Sequence, residues 1–412
     1  MRIAIHDFGG YAFIVQLSRE LARRRHEVIY LYPPDLPGPK RLARTADDSG
    51  GLITHSIELG HSFRKYSPTR RLLAHREYSA RLTEAIRNSK CDAVLSANTP
   101  IDIQYRLVND CRRLNVPVVH WIQDIYCLAL ESFLVGRLGR LGKILAQPFA
   151  ALERRVCERG AGVICISEDF QSYLENHSIH PRRSWTFENW APLDEVTPLP
   201  KVNVWSRSMG LDRKTLFLYS GTMGLKHNPA LIYELARSFD HDPGIVCAVV
   251  SEGLGRDFLE RKPPAPALRL FDFQPYFCLS ELLAAADVLV AVIEPEASRF
   301  SVPSKVLSYL AAGRAVLLAS PEANLAARTV READAGIVVD PRDVSGFVGA
   351  ARRLLEDREL RCRLSINARK YAERRFQIGP IADAFESAIF EVTGECPQSN
   401  IGVFANAANI TS

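Results

Sequence analysis

Short apolar runs alternate with amphipathic segments of helical length through most of the chain. In the first half, Arg2–His6, Glu27–Leu31, Ala93–Ser96, Val116–Trp121 and Val163–Ser167 read as strands. Between the first two, Ile14–Arg25 places Leu17, Leu21 and Ala22 at helical spacing. A second set of strands follows at Leu216–Ser220, Ile245–Ser251, Leu268–Phe271, Val288–Ile293, Ala315–Ala319 and Gly336–Val339. Such alternation predicts parallel sheets covered on both faces by helices, an α/β fold. Residues 189–214 break the rhythm, with three prolines and no sustained repeat, and read as a linker. The expectation is two Rossmann-like domains, residues 1–195 and 196–378. A helix at Pro380–Val392, within residues 379–394, is expected to return to the first domain. The tail, residues 395–412, is polar, aperiodic and expected to be frayed.

Composition narrows the class. Of 412 residues, 47% are apolar and 24% charged, the balance of a soluble globular protein with room for two cores. The nine cysteines are scattered and include no C-x-x-C pair, so buried or incidental thiols and a reducing cytoplasm fit better than zinc or disulfides. The opening MRIAIHDFGGYAF reads as a strand entering a glycine turn rather than a signal peptide. The longest apolar run, LLAAADVLVAVI, is broken by Asp287 and is too short to span a bilayer. A cytoplasmic protein is expected, with a possible place at the inner membrane face.

That last expectation comes from charge. The net +5 is modest and unevenly spread. Residues 61–90 carry Arg64, Lys65, Arg70, Arg71, Arg76, Arg81 and Arg87 against Glu77 and Glu84. Residues 133–143, FLVGRLGRLGK, mix bulky apolar residues with Arg137, Arg140 and Lys143. These stretches read either as peripheral contacts with anionic lipid or as ordinary solvated helix faces. A nucleic-acid partner is disfavoured by the modest charge and the lack of a recognition motif.

Four turns carry candidate chemistry. His6-Asp7-Phe8-Gly9-Gly10 joins the first strand to the first helix, where glycine permits close backbone approach and a helix start attracts an anion. It lacks the dinucleotide fingerprint G-x-G-x-x-G. In Tyr219 to His227, YSGTMGLKH, the backbone amides of the turn at Gly221 and Thr222 and the Lys226 ammonium read as a site for a diphosphate whose charge grows as a glycosidic bond breaks, with a solvated loop lysine as the alternative for Lys226. Glu252 and Gly253 follow the next strand, at the edge where open α/β sheets bind ligands. In the fourth turn Ser301, Pro303 and Ser304 precede a helix from about Lys305 to Ala312, with Gly313 as its stop. Asp124 follows strand HWI, where a carboxylate can cap a helix. His120, on that strand, reads as a packed core residue.

In that order, YSGTMGLKH, VSEGLGR and SVPSKVLSYLAAGRAVLLAS resemble the donor half of glycosyltransferase family 4. HDFGGYAF, RRHEV, HWIQDIY, ICISEDF and FENWAPLD resemble bacterial members that build exopolysaccharide or lipid-linked glycans. The resemblance runs from Met1 to about residue 390. It implies the GT-B fold, two Rossmann-like domains facing across a cleft, and metal-independent transfer with retention at the anomeric carbon. It implies no cofactor, a UDP- or GDP-linked hexose donor, and a glycan or polyprenyl-diphosphate-linked acceptor.

Residue by residue, Lys226 matches the family's phosphate-binding lysine, and Ser304-Lys305 matches its P-S-K variant. Thr222 stands where an arginine is usual. The usual glutamate pair is not intact: Ser308 takes the second place and Phe300 the first, with Glu294 and Glu296 too early. Gln123-Asp124 falls where the family carries a polar residue facing the transferred sugar, so the resemblance implies for Asp124 a hold on a sugar hydroxyl or on positive charge at the anomeric carbon, with the helix cap as the alternative, and Asn189-Trp190 reads as the structural close of the first domain. The departures keep two alternatives open, a non-catalytic nucleotide-sugar or partner-binding protein and a sugar-nucleotide epimerase or hydrolase.

Overall fold

The computed structural model describes residues 1–34, 50–58, 68–224, 227–294 and 304–395. The first half contains seven strands: β1 (Arg2–Asp7), β2 (Glu27–Tyr32), β3 (Leu52–Ser56), β4 (Ala93–Ala97), β5 (Val118–Trp121), β6 (Gly162–Cys165) and β7 (Ser184–Thr186). They form one parallel sheet in the order β3-β2-β1-β4-β5-β6-β7. Its helices are α1 (Ala12–Arg23), α2 (Pro68–Ser89), α3 (Ile101–Arg113), α4 (Tyr126–Leu138), α5 (Arg140–Arg159) and α6 (Glu168–Asn176). A short α7 (Val204–Ser208) lies in the crossing segment, held by a reciprocal cap between Asn203 and Ser206.

The second half forms β8 (Thr215–Ser220), β9 (Ile245–Val250), β10 (Leu268–Phe271), β11 (Val288–Val292), β12 (Ala315–Ala319) and β13 (Gly336–Val339). This sheet is also parallel, in the order β10-β9-β8-β11-β12-β13. Its helices are α8 (Pro229–Arg237), α9 (Leu254–Glu260), α10 (Leu279–Ala284), α11 (Ser304–Ala311), α12 (Leu325–Glu332), α13 (Val344–Glu356) and α14 (Arg358–Arg375). Every residue of β9, β11 and β12 is buried, because helices cover both faces.

The last helix, α15 (Ile378–Thr393), packs on α1. Arg24 pairs with Asp383 at 2.6 Å and Glu386 at 3.2 Å. Phe385 is fully buried, with its ring centroid 4.6 Å from that of Trp121 and 4.9 Å from that of Phe187. Trp190 stacks on Trp121, so an aromatic cluster beneath the first sheet holds both the crossing segment and the final helix. Among the described residues, no helix is long and apolar enough to cross a membrane.

Candidate functional site

In each sheet the strand order reverses beside the first strand, between β1 and β4 and between β8 and β11. Open parallel sheets bind ligands outside the carboxyl ends of the strands at such a point. Here the two carboxyl edges enclose a cavity of about 450 Å³. Gly9, Asp124, Gly221, Thr222, Ser304, Lys305 and Ser308 all line it. A larger open depression of about 910 Å³, rich in arginine, lies by Asp92, Pro117 and Ala161, at the opposite, amino ends of β4, β5 and β6.

The glycine turn after β1 is built on Asp7. Its fully buried carboxylate accepts the amides of Gly9 at 2.9 Å, Gly10 at 2.8 Å and Tyr11 at 2.8 Å, and the Tyr30 hydroxyl at 2.7 Å. A φ of +70° at Gly10 helps the amides converge. Burial pushes Asp7 up to about 6, against the downward pull of these bonds. The anion attracted to this helix start is therefore internal. Gly10 is buried and does not line the cavity, whereas Gly9 supplies a wall without a side chain. A Cβ on Gly9 would lie 2.2 Å from Asn98 Nδ2.

Asp124 reaches the cavity from the loop after β5. Ile125, not Asp124, is the cap residue of α4. The loop is held on one side by a reciprocal amide pair, with Gln123 donating to Asn189 at 3.2 Å and Asn189 donating back at 2.6 Å. On the other side Glu153 of α5 accepts the Tyr126 amide at 3.0 Å. His120 is buried in the core, and burial pulls it down to about 4. Trp190 donates to Gln16 at 2.8 Å from its buried place in the aromatic cluster.

Two turns brace each other in the second domain. The Gly221 amide donates to Val250 O at 3.0 Å, Met223 to Glu252 O at 2.9 Å, and Gly255 to Met223 O at 2.8 Å. Gly221 and Gly253 hold φ of +121° and +99°, which non-glycine residues rarely adopt. Glu252 and Gly253 are exposed outside the cavity, where the Glu252 carbonyl supports the Gly221 turn and that of Gly253 accepts the Arg256 amide at the start of α9. Since the Gly221 and Met223 amides are engaged, an anion here must rely on other groups.

Lys305 provides one. From the first turn of α11 its ammonium crosses Gly221, lying 3.7 Å from the position a Cβ would take there. It sits 3.8 Å above the Tyr219 ring centroid and donates to the Tyr219 hydroxyl. Burial holds this ammonium well below the ordinary lysine range. An incoming anion would stabilise its charged form. Tyr309, one turn later, accepts the Ser220 amide at 3.0 Å and fixes α11 against β8. Ser304 and Ser308 thus stand with Lys305 at one helix start facing the cavity. Lys226, Ser301 and Pro303 lie outside the described residues, as do Glu296 and Phe300.

Sequence reasoning passed over Asp7 as a strut, Tyr219 and Tyr309 as supports, and the lining residues Phe273 and Tyr276. Tyr219 and Tyr309 stand within the glycine-turn and P-S-K stretches, whereas Phe273 and Tyr276 belong to no motif. Among the described residues, no three His, Cys, Asp or Glu side chains gather as a metal site.

The comparisons with known proteins agree with this layout. Residues 9–195 match the family described as Glycosyltransferase Family 4, and residues 203–371 match Glycosyl transferases group 1. A protein of Escherichia coli K12 whose name assigns it to colanic acid biosynthesis, glycosyl transferase WcaI, is 28% identical over 264 residues. That match spans 62% of this chain and 63% of the relative, less than two thirds of its length. Sucrose-phosphate synthase from Thermosynechococcus elongatus superposes with a TM-score of 0.70 at 14% identity, over 96% of this chain and 99% of that one. Anabaena Alr3699/HepE in complex with UDP-glucose superposes with a TM-score of 0.69 at 13% identity, over 95% of this chain and 100% of that one. At such identities the structural likeness is one of fold. The two family matches, in order and side by side over most of the chain, place it among the family 4 glycosyltransferases, with the GT-B fold.

Proposed function

We propose that this chain transfers a hexose-type sugar from a UDP- or GDP-linked donor to a glycan or polyprenyl-diphosphate-linked acceptor, in surface polysaccharide synthesis. The observation that carries this reading is Lys305, an ammonium drawn into the cleft over the Gly221 turn and pulled below its ordinary range by burial. A nucleoside diphosphate on the second domain would meet that cation and the start of α11. Lys226, five residues after Gly221 in sequence, would add a second cation. Transfer is read as metal-independent, with the lysines meeting the charge of the leaving group.

The donor's anomeric C1–O bond breaks, and the diphosphate departs with the bonding electron pair. An acceptor hydroxyl oxygen forms the new C1–O bond on the same face, and its proton passes to the departing phosphate oxygen. Asp124, across the cavity, would hold a sugar hydroxyl or steady positive charge at C1. The UDP-glucose bound to Alr3699/HepE and the pathway in the name of the Escherichia coli relative support the donor class and the setting.

The test is a melting-temperature screen of UDP-, GDP-, dTDP- and ADP-sugars, followed by nucleoside diphosphate release with and without lipid acceptors. At least one donor should raise the melting temperature and turn over with acceptor. Donor binding without turnover across acceptors would favour the non-catalytic alternative, and release independent of acceptor would favour a hydrolase.

A further inference from the structure

The cleft leaves one conspicuous surface unexplained, the tip of the hairpin formed by α4 and α5. Gly139, at φ +56°, turns the chain between the helices. Gly142 lets their backbones nearly touch, since a Cβ there would lie 2.3 Å from the Leu134 backbone. The face of α5 bearing Gly142, Ala146, Glu153 and Val156 is buried, and its carboxyl half packs on α3. The tip remains open. Val135, Leu138, Leu141, Ile144, Leu145 and Phe149 are each 40–59% exposed. Leu141, Leu145 and Phe149 follow one another at four-residue intervals and form a stripe.

Arg137, Arg140 and Lys143 stand exposed among these side chains, and residues 132–152 contain no Asp or Glu. The other basic stretch differs. Arg64 and Lys65 lie outside the described residues; along α2 the apolar Tyr78, Leu82 and Ile86 are buried, Leu73 stands exposed by itself, and Arg81 is paired with Glu77 at 2.7 Å. The described part of α2 thus turns its other large apolar side chains inward, whereas the hairpin tip combines several uncovered apolar side chains with three cations in a stretch that holds no acidic residue.

We infer that this tip docks on an anionic lipid leaflet, with its apolar side chains at the headgroup boundary and its three cations on the headgroups. The charge selects an anionic surface, and the apolar stripe selects lipid over a soluble polyanion. The hairpin would lie in the leaflet rather than cross it. Its attachment gives the docking a purpose. Asp124 lies two residues before α4, and Glu153 of α5 ties the start of α4 at 3.0 Å. Thirteen helical residues separate that start from the tip, so the cleft would stand roughly 20 Å from the headgroups. This orientation rests on the proposed lipid-linked acceptor; the docking itself does not.

Flotation with phosphatidylcholine vesicles, with and without phosphatidylglycerol, tests it. The chain should float with the anionic vesicles. Combined Arg137→Gln, Arg140→Gln and Lys143→Gln should weaken binding on the order of 100-fold, at ~1 kcal/mol per basic residue. Combined Leu141→Ser, Leu145→Ser and Phe149→Ser, all exposed, should abolish the binding that survives high salt. A wild-type chain that stays unbound, or variants that bind as tightly as wild type, would overturn the inference. So would light scattering that shows a dimer dissolved by the same serine substitutions, since the tip would then be covered by a second copy. Turnover on a water-soluble acceptor, run alongside, should be unchanged in both variants. If no preparation turns over while vesicle binding behaves as described, the transfer reading fails and the docking stands.

Discussion

Replacing Lys305 with methionine should separate a catalytic cation from a structural one. Methionine keeps an unbranched apolar stem against Tyr219 but removes the ammonium that lies over the Gly221 turn. A unit charge ~4 Å from a phosphate oxygen interacts by about 4 kcal/mol at an effective dielectric near 20. Loss of one such fixed group from a developing anion lowers turnover by about 10²–10³-fold. Stability should move the other way. Burial depresses the Lys305 pKa below its unfolded value, so protonation favours the unfolded chain increasingly as pH falls from the unfolded pKa to the lowered one. Lys305→Met removes that penalty and should hold or raise the melting temperature at neutral pH. Turnover measured as nucleoside diphosphate release, beside a melting curve, reads both. Adding Thr222→Arg, which restores an arginine beside Gly221, should recover part of the lost turnover. Turnover within about threefold of wild type would refute the assignment, and so would a fall in melting temperature parallel to the loss of turnover.

Three further outcomes follow from the geometry. Asp124→Asn should reduce turnover by at least about tenfold while nucleotide affinity, read by titration calorimetry, holds; equal losses would make Asp124 a structural residue. Asp7→Asn should change the pH dependence of stability. With Asp7 raised to about 6, its protonated form is favoured by the fold, so the stability this group adds is full below pH ~4 and is lost as pH rises through 6. Relative to the variant, wild type should lose on the order of 3 kcal/mol across that window, from two pH units at 1.36 kcal/mol each, and parallel stability curves would contradict the burial argument. Phe385→Ala should destabilise by about 3–5 kcal/mol, because it empties a fully buried site between α15 and the Trp121–Trp190 stack. Denaturant melts would show it, and a loss below ~1 kcal/mol would mean that α15 contributes little to the first core.

The interior of the fold was legible in the sequence because its central strands are covered on both faces. Runs such as AVLLA in β12 and VLVAV in β11 announce themselves, and β10, β12 and β13 have the boundaries that the pattern predicts. The edges of the first sheet were not legible, whereas β10 and β13, the edges of the second, were. β3, LITHS, exposes three of its five residues, and β7 has three residues in all, so neither leaves an apolar run. α7 was hidden in the linker, because five residues held by a cap cannot display a helical period. Ser167, read as the end of a strand, is instead the cap residue of α6.

The site was legible to the extent that it depends on glycine turns. The sequence pointed to the right strand ends but not to the direction of their amides. Asp7 captures those of Gly9 and Gly10, and the carbonyls of Val250 and Glu252 engage those of Gly221 and Met223. Such bonds have no periodicity to betray them. The Gln123–Asn189 pair, formed across 66 positions, and the Tyr309–Ser220 contact, across 89, depend on the completed fold.

The central claim is that the cleft moves a sugar from nucleotide to acceptor. It is tested most directly by following one reaction by NMR, with an α-linked nucleotide-sugar and a lipid-linked acceptor present together. The account predicts that nucleoside diphosphate appears in step with an α-linked product and that its release stops when acceptor is withheld. Release at the same rate without acceptor, or a bound donor that never turns over, would contradict it.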